Sequence, residues 1–165
     1  MAAALDQMEL GAVWHMEISD LLRPDRVVAD LRVRDKGQLT AELSRRAGAA
    51  LQASVQAIEA ALTARERLGS TGLGRGFALP HARLGAMDEF FGLFARLARP
   101  IDFEAIDGAP VDLVFLLLIP EQGANGHVAA LAAISRRMRD QVFVQRLRKA
   151  AGGAEIYKLL TSAQS

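Results

Sequence analysis

Apolar residues along this chain follow two rhythms, a helical step of three to four and dense runs that do not alternate. Leu39, Leu43 and Ala47 recur at four-residue steps within Lys36 to Ala50. They predict an amphipathic helix ending near Gly48. Val55, Ile58, Ala61 and Leu62 repeat the step and predict a second helix, with Gly69 placed to stop it. Upstream, Ile18-Ser19-Asp20-Leu21-Leu22 reads as a short helix start, with Ser19 or Asp20 as cap and Pro24 as breaker. Val27 to Val33 alternates loosely, as an edge strand does. Phe77-Ala78-Leu79 reads as a short strand stopped by Pro80. Phe90 to Leu97 reads as a longer strand, and Ile101 to Ile106 as an extended piece before the Asp107-Gly108 turn. Leu113 to Ile119 is a continuous apolar run ending at Pro120, the pattern of a strand buried on both faces. His127, Leu131, Ile134 and Met138 return to helical spacing, and Val142 to Leu147 and Ile156 to Leu160 complete a helical C-terminus. Helices, then strands, then helices around one hydrophobic strand predict an α/β fold, a mixed β-sheet flanked by helices on both faces in a single domain. The domain is expected over 17–160, with a flexible N-terminus over 1–16 and a frayed tail over 161–165.

Composition narrows the function classes. A chain of 165 residues with 51% hydrophobic and 24% charged residues has the make-up of an ordered soluble domain, large enough to fold without a staple. Lys+Arg is 20 against Asp+Glu 19, a net charge of +1, which is too small a basic excess for a domain built to hold nucleic acid. Aromatic residues are 5%, which argues against a base-stacking platform. Cysteine is absent, which excludes disulfides, Cys-zinc sites, iron–sulfur ligation and thiol catalysis. The run Leu113 to Ile119 is far short of the ~20 residues of a membrane span. The opening MAAALDQMELGAVW has acidic residues early and no basic start, unlike a secretory signal. A cytoplasmic location is expected.

Candidate chemistry gathers around glycines and histidines. Gly69-Ser70-Thr71-Gly72-Leu73-Gly74-Arg75-Gly76 carries four of the fourteen glycines. A dinucleotide fingerprint runs strand, glycines, helix; here the order is helix, glycines, strand, and the spacing is G-x-G-x-G. No Gly-Lys-Ser/Thr of a phosphate loop follows. Two readings remain, a tight connection whose glycines supply positive φ, or a loop whose N–H groups and Ser70 and Thr71 hydroxyls face an anion. His81 follows a strand end beside that loop, a common place for functional side chains in α/β folds. His127 stands where a helix begins, and a helix N-terminus favours an anion. His15, beside Trp14, reads as incidental. His81 and His127 lack the third and fourth ligands of a metal site, and no Gly-x-Ser-x-Gly elbow is present. A phosphoryl carrier fits better. Neutral imidazole is a nucleophile near neutral pH, its N–P bond is labile, and such a site needs only donors, an orienting cation and an open surface. Arg65 is a candidate guanidinium clamp. No cofactor is required.

The stretch Leu62-Thr63-Ala64-Arg65-Glu66-Arg67-Leu68-Gly69-Ser70-Thr71-Gly72 through Leu79-Pro80-His81 resembles the signature of the fructose/mannitol-type IIA domains (EIIA type 2) of the bacterial phosphoenolpyruvate-dependent phosphotransferase system. Ile101-Asp102-Phe103-Glu104-Ala105-Ile106-Asp107-Gly108 and the residues after it are similar to the nitrogen-regulatory branch of that family. The resemblance spans roughly residues 17–160, one domain by length. It implies that His81 is phosphorylated, with Nε2 as nucleophile. It implies that Arg65 contacts the phosphoryl group and that His127 hydrogen-bonds it. Ser70 and Thr71 would shape the pocket or donate hydrogen bonds. The implied donor is an HPr-like carrier charged by an Enzyme I homologue, and the implied output is regulation of target proteins. A IIA feeding sugar transport through a separate IIB would use the same His81 chemistry. A regulator that no longer needs phosphorylation is the remaining alternative. Ala82 stands where the family commonly has glycine, and a side chain there disfavours positive φ. Arg75 and Arg83 add positive charge around the loop and the histidine.

Overall fold

The computed structural model describes residues 16–85, 87–122 and 126–163. His15, Trp14 and nearly all of the expected flexible N-terminus lie outside them. Two single turns of 3₁₀ helix, Ile18–Asp20 and Pro24–Arg26, precede strand β1 (Val27–Leu31), helices α1 (Lys36–Leu51) and α2 (Val55–Arg67), and the short strands β2 (Gly72–Gly74), β3 (Phe77–Ala78) and β4 (His81–Leu84). Two long strands follow, β5 (Phe91–Ile101) and β6 (Val111–Pro120), and then α3 (His127–Met138), α4 (Gln141–Lys149) and α5 (Gly153–Thr161).

The sheet runs β1-β5-β6-β3-β2, and β4 pairs with β6 beyond the end of β3. Pairing is mixed, as expected: β5–β6 and β2–β3 are antiparallel, while β1–β5, β3–β6 and β4–β6 are parallel. β1 is the edge strand the sequence predicts. The apolar run in β6 is fully buried because both faces of the sheet are covered. Val114, Leu116 and Leu118 pack in one core with Leu39 and Leu43 of α1 and Ile58 of α2. Leu113, Phe115, Leu117 and Ile119 pack in the other with Ile134 of α3 and Leu147 of α4. Successive strand residues point to opposite faces, so a run apolar at every position suits a strand covered on both sides. Each such Leu or Phe contributes roughly 1.5–3 kcal/mol on burial.

Several boundaries differ from the sequence reading, each for a local reason. Helix α1 does not end at Gly48 but continues to Leu51 and closes at Gln52, which takes φ +52°. Gly48 is there for packing: a Cβ on it would meet Val55 Cγ2 at 2.6 Å, where α2 begins. Pro24 opens a second 3₁₀ turn instead of only ending the first, and the first turn's cap is Glu17, whose N–H donates to Asp20 Oδ2 at 2.9 Å. β5 runs on to Ile101, and the expected extended piece after it is not a strand. Pro80 interrupts the strand for only two residues. It has no N–H for the ladder, but its carbonyl accepts from Leu117 N at 3.0 Å and pairing resumes at His81 opposite Leu117. The C-terminal helix reaches Thr161, whose hydroxyl donates to Tyr157 O at 2.8 Å, so order extends into the expected frayed tail. Among the described residues, no helix is long and apolar enough to cross a membrane.

Candidate functional site

His81 is the first residue of β4 and half-buried. Its Nδ1 lies 2.9 Å from the carbonyl oxygen of Leu79, two residues earlier. A carbonyl only accepts, so Nδ1 must carry the proton, and Nε2 is left with the lone pair. The Leu79-Pro80 break in the strand makes this possible. It turns the Leu79 carbonyl away from the ladder and back toward the imidazole. Ala82 settles the question raised by its side chain, for it sits in extended strand geometry opposite Leu118 with its methyl in the core. Arg83, exposed, follows two residues after His81 along the strand.

The glycine-rich segment is a hairpin, which the sequence reading did not identify. β2 and β3 pair across Arg75 and Gly76, whose φ values are +58° and +82°. Positive φ at both central residues is the pattern of the two-residue turn that matches strand twist. The hairpin is pinned at its tip. Arg75 N donates to Asp107 Oδ2 at 2.9 Å, and Arg148 Nη2 donates to the Arg75 carbonyl at 3.0 Å.

At the base of the hairpin both candidate hydroxyls turn inward. Ser70 Oγ donates to the Phe103 carbonyl at 3.2 Å and accepts from Gly72 N at 3.1 Å. The Thr71 hydroxyl donates to Glu66, and Thr71 N donates to the same carboxylate at 3.2 Å. Thr71 is buried. Of the two roles open to this pair, these contacts serve pocket shaping. Glu66 was not singled out as a site residue by its sequence context. Its place beside Arg65 and five residues before Thr71 is the signal that was available.

Arg65, in the last turn of α2, donates from Nη1 to the Gly69 carbonyl at 2.9 Å. That single bond orients the guanidinium and leaves other N–H donors for an anion. His127 is the first residue of α3, at the positive end of a twelve-residue helix. Arg65, Glu66 and His127 all lie within electrostatic reach of His81. Residues from α2, β4 and α3, far apart in the chain, thus converge on one imidazole. Among the described residues, no three or more His, Asp or Glu side chains form a metal-holding group.

The His81 pKa is held below the ordinary imidazole value. Burial is the main cause, the Arg65 and His127 charges act the same way, and the Leu79 hydrogen bond and Glu66 oppose it. Neutral His81 therefore persists below pH ~6.5, the free imidazole value. Any reaction needing its lone pair is expected to stay at full rate as pH falls from 8 to about 6.5, and to decline only as pH passes the lowered value. The same shift has a stability consequence. On acidification the unfolded chain binds the proton first, so this group costs stability as pH falls through ~6.5, until the folded-state value is passed. An NMR titration of the His81 ring checks this; a midpoint at or above 6.5 would contradict the expected burial effect.

Comparison with known proteins gives three consistent findings. Residues 20–163 match the family model described as "Phosphoenolpyruvate-dependent sugar phosphotransferase system, EIIA 2". The chain is 45% identical over 145 residues to a nitrogen regulatory protein of Bradyrhizobium diazoefficiens, covering 88% of this chain and 95% of that protein. Its fold is similar to the crystal structure of nitrogen regulatory protein IIA-Ntr from Neisseria meningitidis, with a TM-score of 0.83, 33% identity, and coverage of 87% of this chain and 99% of that one. IIA mannitol from Escherichia coli, at 18% identity and a TM-score of 0.71 over 84% of this chain and 98% of that one, shares the fold.

Proposed function

Because the chain belongs to the EIIA type 2 family of the phosphoenolpyruvate-dependent phosphotransferase system, we propose that it is a cytoplasmic phosphohistidine carrier that accepts a phosphoryl group on His81 from an HPr-like protein and regulates target proteins by its phosphorylation state. The observation that carries this reading is the His81–Leu79 hydrogen bond, which holds the Nδ1–H tautomer and leaves Nε2 nucleophilic. The Nε2 lone pair attacks phosphorus in line. As the new N–P bond forms, the N–P bond of the donor's phosphohistidine breaks, and the electron pair leaves with the donor imidazole. The proton stays on Nδ1. Negative charge on the transferring oxygens is offset by Arg65 and by a hydrogen bond from His127, in a reaction where positioning and electrostatics carry most of the catalysis. Ser70 and Thr71 shape the wall of the pocket through their bonds within the loop.

A regulatory output follows from charge. Phosphorylation adds about two negative charges to a half-buried, cation-lined surface, enough to alter which protein faces it. The nitrogen-regulatory relatives support this output. The test is reconstitution. The purified chain, incubated with phosphoenolpyruvate, an Enzyme I homologue and an HPr-like carrier, is expected to take up one acid-labile phosphoryl group by mass spectrometry. A chain that stays unmodified while the carrier itself is phosphorylated overturns the proposal.

A further inference from the structure

Lys36 opens α1, where a cation is disfavoured by the helix dipole. Its place there has a tertiary reason. Lys36 Nζ lies 2.9 Å from Glu66 Oε2, donates to the Phe103 carbonyl at 3.2 Å and stands 4.5 Å from the centre of the Phe103 ring. The side chains of Lys36 and Glu66 are only 22% and 12% exposed, so solvent screens the pair weakly. Ser70 donates to the same Phe103 carbonyl, and Thr71 gives both its hydroxyl and its N–H to Glu66.

From this knot a continuous line of hydrogen bonds runs to the site. Thr71 O accepts from Leu79 N at 2.9 Å, and Leu79 O in turn faces His81 Nδ1 at 2.9 Å. The order is Lys36, Glu66, Thr71, Leu79, His81. Glu66 also adjoins Arg65 in the last turn of α2, so the same anchor fixes the base from which Arg65 reaches Gly69. We infer that Lys36 and Glu66 are positioning residues for phosphoryl transfer: the ion pair sets the seat of the glycine hairpin, the hairpin sets the Leu79 carbonyl, and that carbonyl holds His81 in its Nε2-nucleophilic tautomer. The inference rests on the carrier reading of His81. Neither residue meets the phosphoryl group.

Lys36→Met removes the charge and keeps most of the stem over Phe103. In the unphosphorylated protein, the Nδ1–H tautomer fraction of His81, read from its ring nitrogens by NMR, is expected to fall. The rate of phosphoryl acceptance is expected to drop roughly 10- to 100-fold, the scale of a small misplacement of reacting groups. Lys36→Arg, which keeps the charge, is expected to recover both readouts to within about threefold of wild type, because a guanidinium still pairs the carboxylate. A folded Lys36→Met protein with an unchanged tautomer fraction and an unchanged rate overturns the inference. So does a Lys36→Arg protein that recovers neither readout. Should Lys36→Met fail to fold, the isosteric Glu66→Gln carries the same two readouts and decides in its place. Failure here is separable from failure of the carrier reading. The tautomer is measured without any relay protein, whereas wild type that accepts no phosphoryl group tells against the carrier role alone.

Discussion

His81→Ala is expected to accept no phosphoryl group at all from a charged HPr-like donor. The transfer forms a covalent bond to one nitrogen lone pair, and alanine has none to offer, so the loss is complete instead of graded. His127 does not take over. It stands at the start of a helix, on a different element from the Leu79 carbonyl that prepares the His81 ring. The fold is expected to survive. The ring is half-buried, and its one hydrogen bond recorded here goes to a carbonyl oxygen, so truncation costs on the order of 1 kcal/mol. Mass spectrometry of wild type and variant after the same incubation, with circular dichroism as a control for folding, checks both parts. Label persisting in the variant would move the acceptor to another residue and withdraw His81 from its role.

Arg65→Met carries the second largest expected effect. Acceptance at His81 is expected to slow roughly 10²- to 10³-fold, because the guanidinium is a preorganised charge facing oxygens that gain negative character in the transition state. Arg65→Lys is expected to recover only part of the rate. An ammonium restores the charge but not the planar fork, and it has no second N–H on the same plane to hold Gly69 O while facing an anion. Stability should change little, since the single bond to the Gly69 carbonyl is solvent-exposed. Rapid-quench measurement of phosphoryl transfer reports the rate, and urea unfolding reports the stability. Equal transfer rates in wild type and Arg65→Met would leave Arg65 as the C-terminal peg of α2 and nothing more.

Most of the element order was legible from the chain because it depends on short-range periodicity. The four-residue apolar step in α1, the dense run in β6 and the edge position of β1 are all local signals read against a simple geometry. The errors have a common source. Gly48 looked like a helix stop because glycine usually is one. It is a contact point for Val55, and that neighbour becomes visible only once the two helices turn against each other. Pro80 looked like the end of a strand, but β6 was there to pair with the residues beyond it. Ser70 and Thr71 looked like free donors because a sequence does not show that Phe103 and Glu66 already receive their hydroxyls.

By itself the sequence determined the inventory and the local order: a cysteine-free chain, two well-placed histidines, an arginine sixteen residues before one of them, and a hydrophobic strand around which helices must close. Those are properties of residue types and of spacing within a few turns. The tertiary structure alone decided which of these groups meet and in what state. Sheet register puts His81 opposite Leu117, and chain reversal brings Arg65, Glu66 and His127 within reach of it. The Leu79 carbonyl chooses the tautomer. Lys36, forty-five positions before the histidine, enters the site only through that packing. Periodicity encodes which face of an element is buried. It does not encode what lies on the other side of the contact, and the proton on His81 is set there.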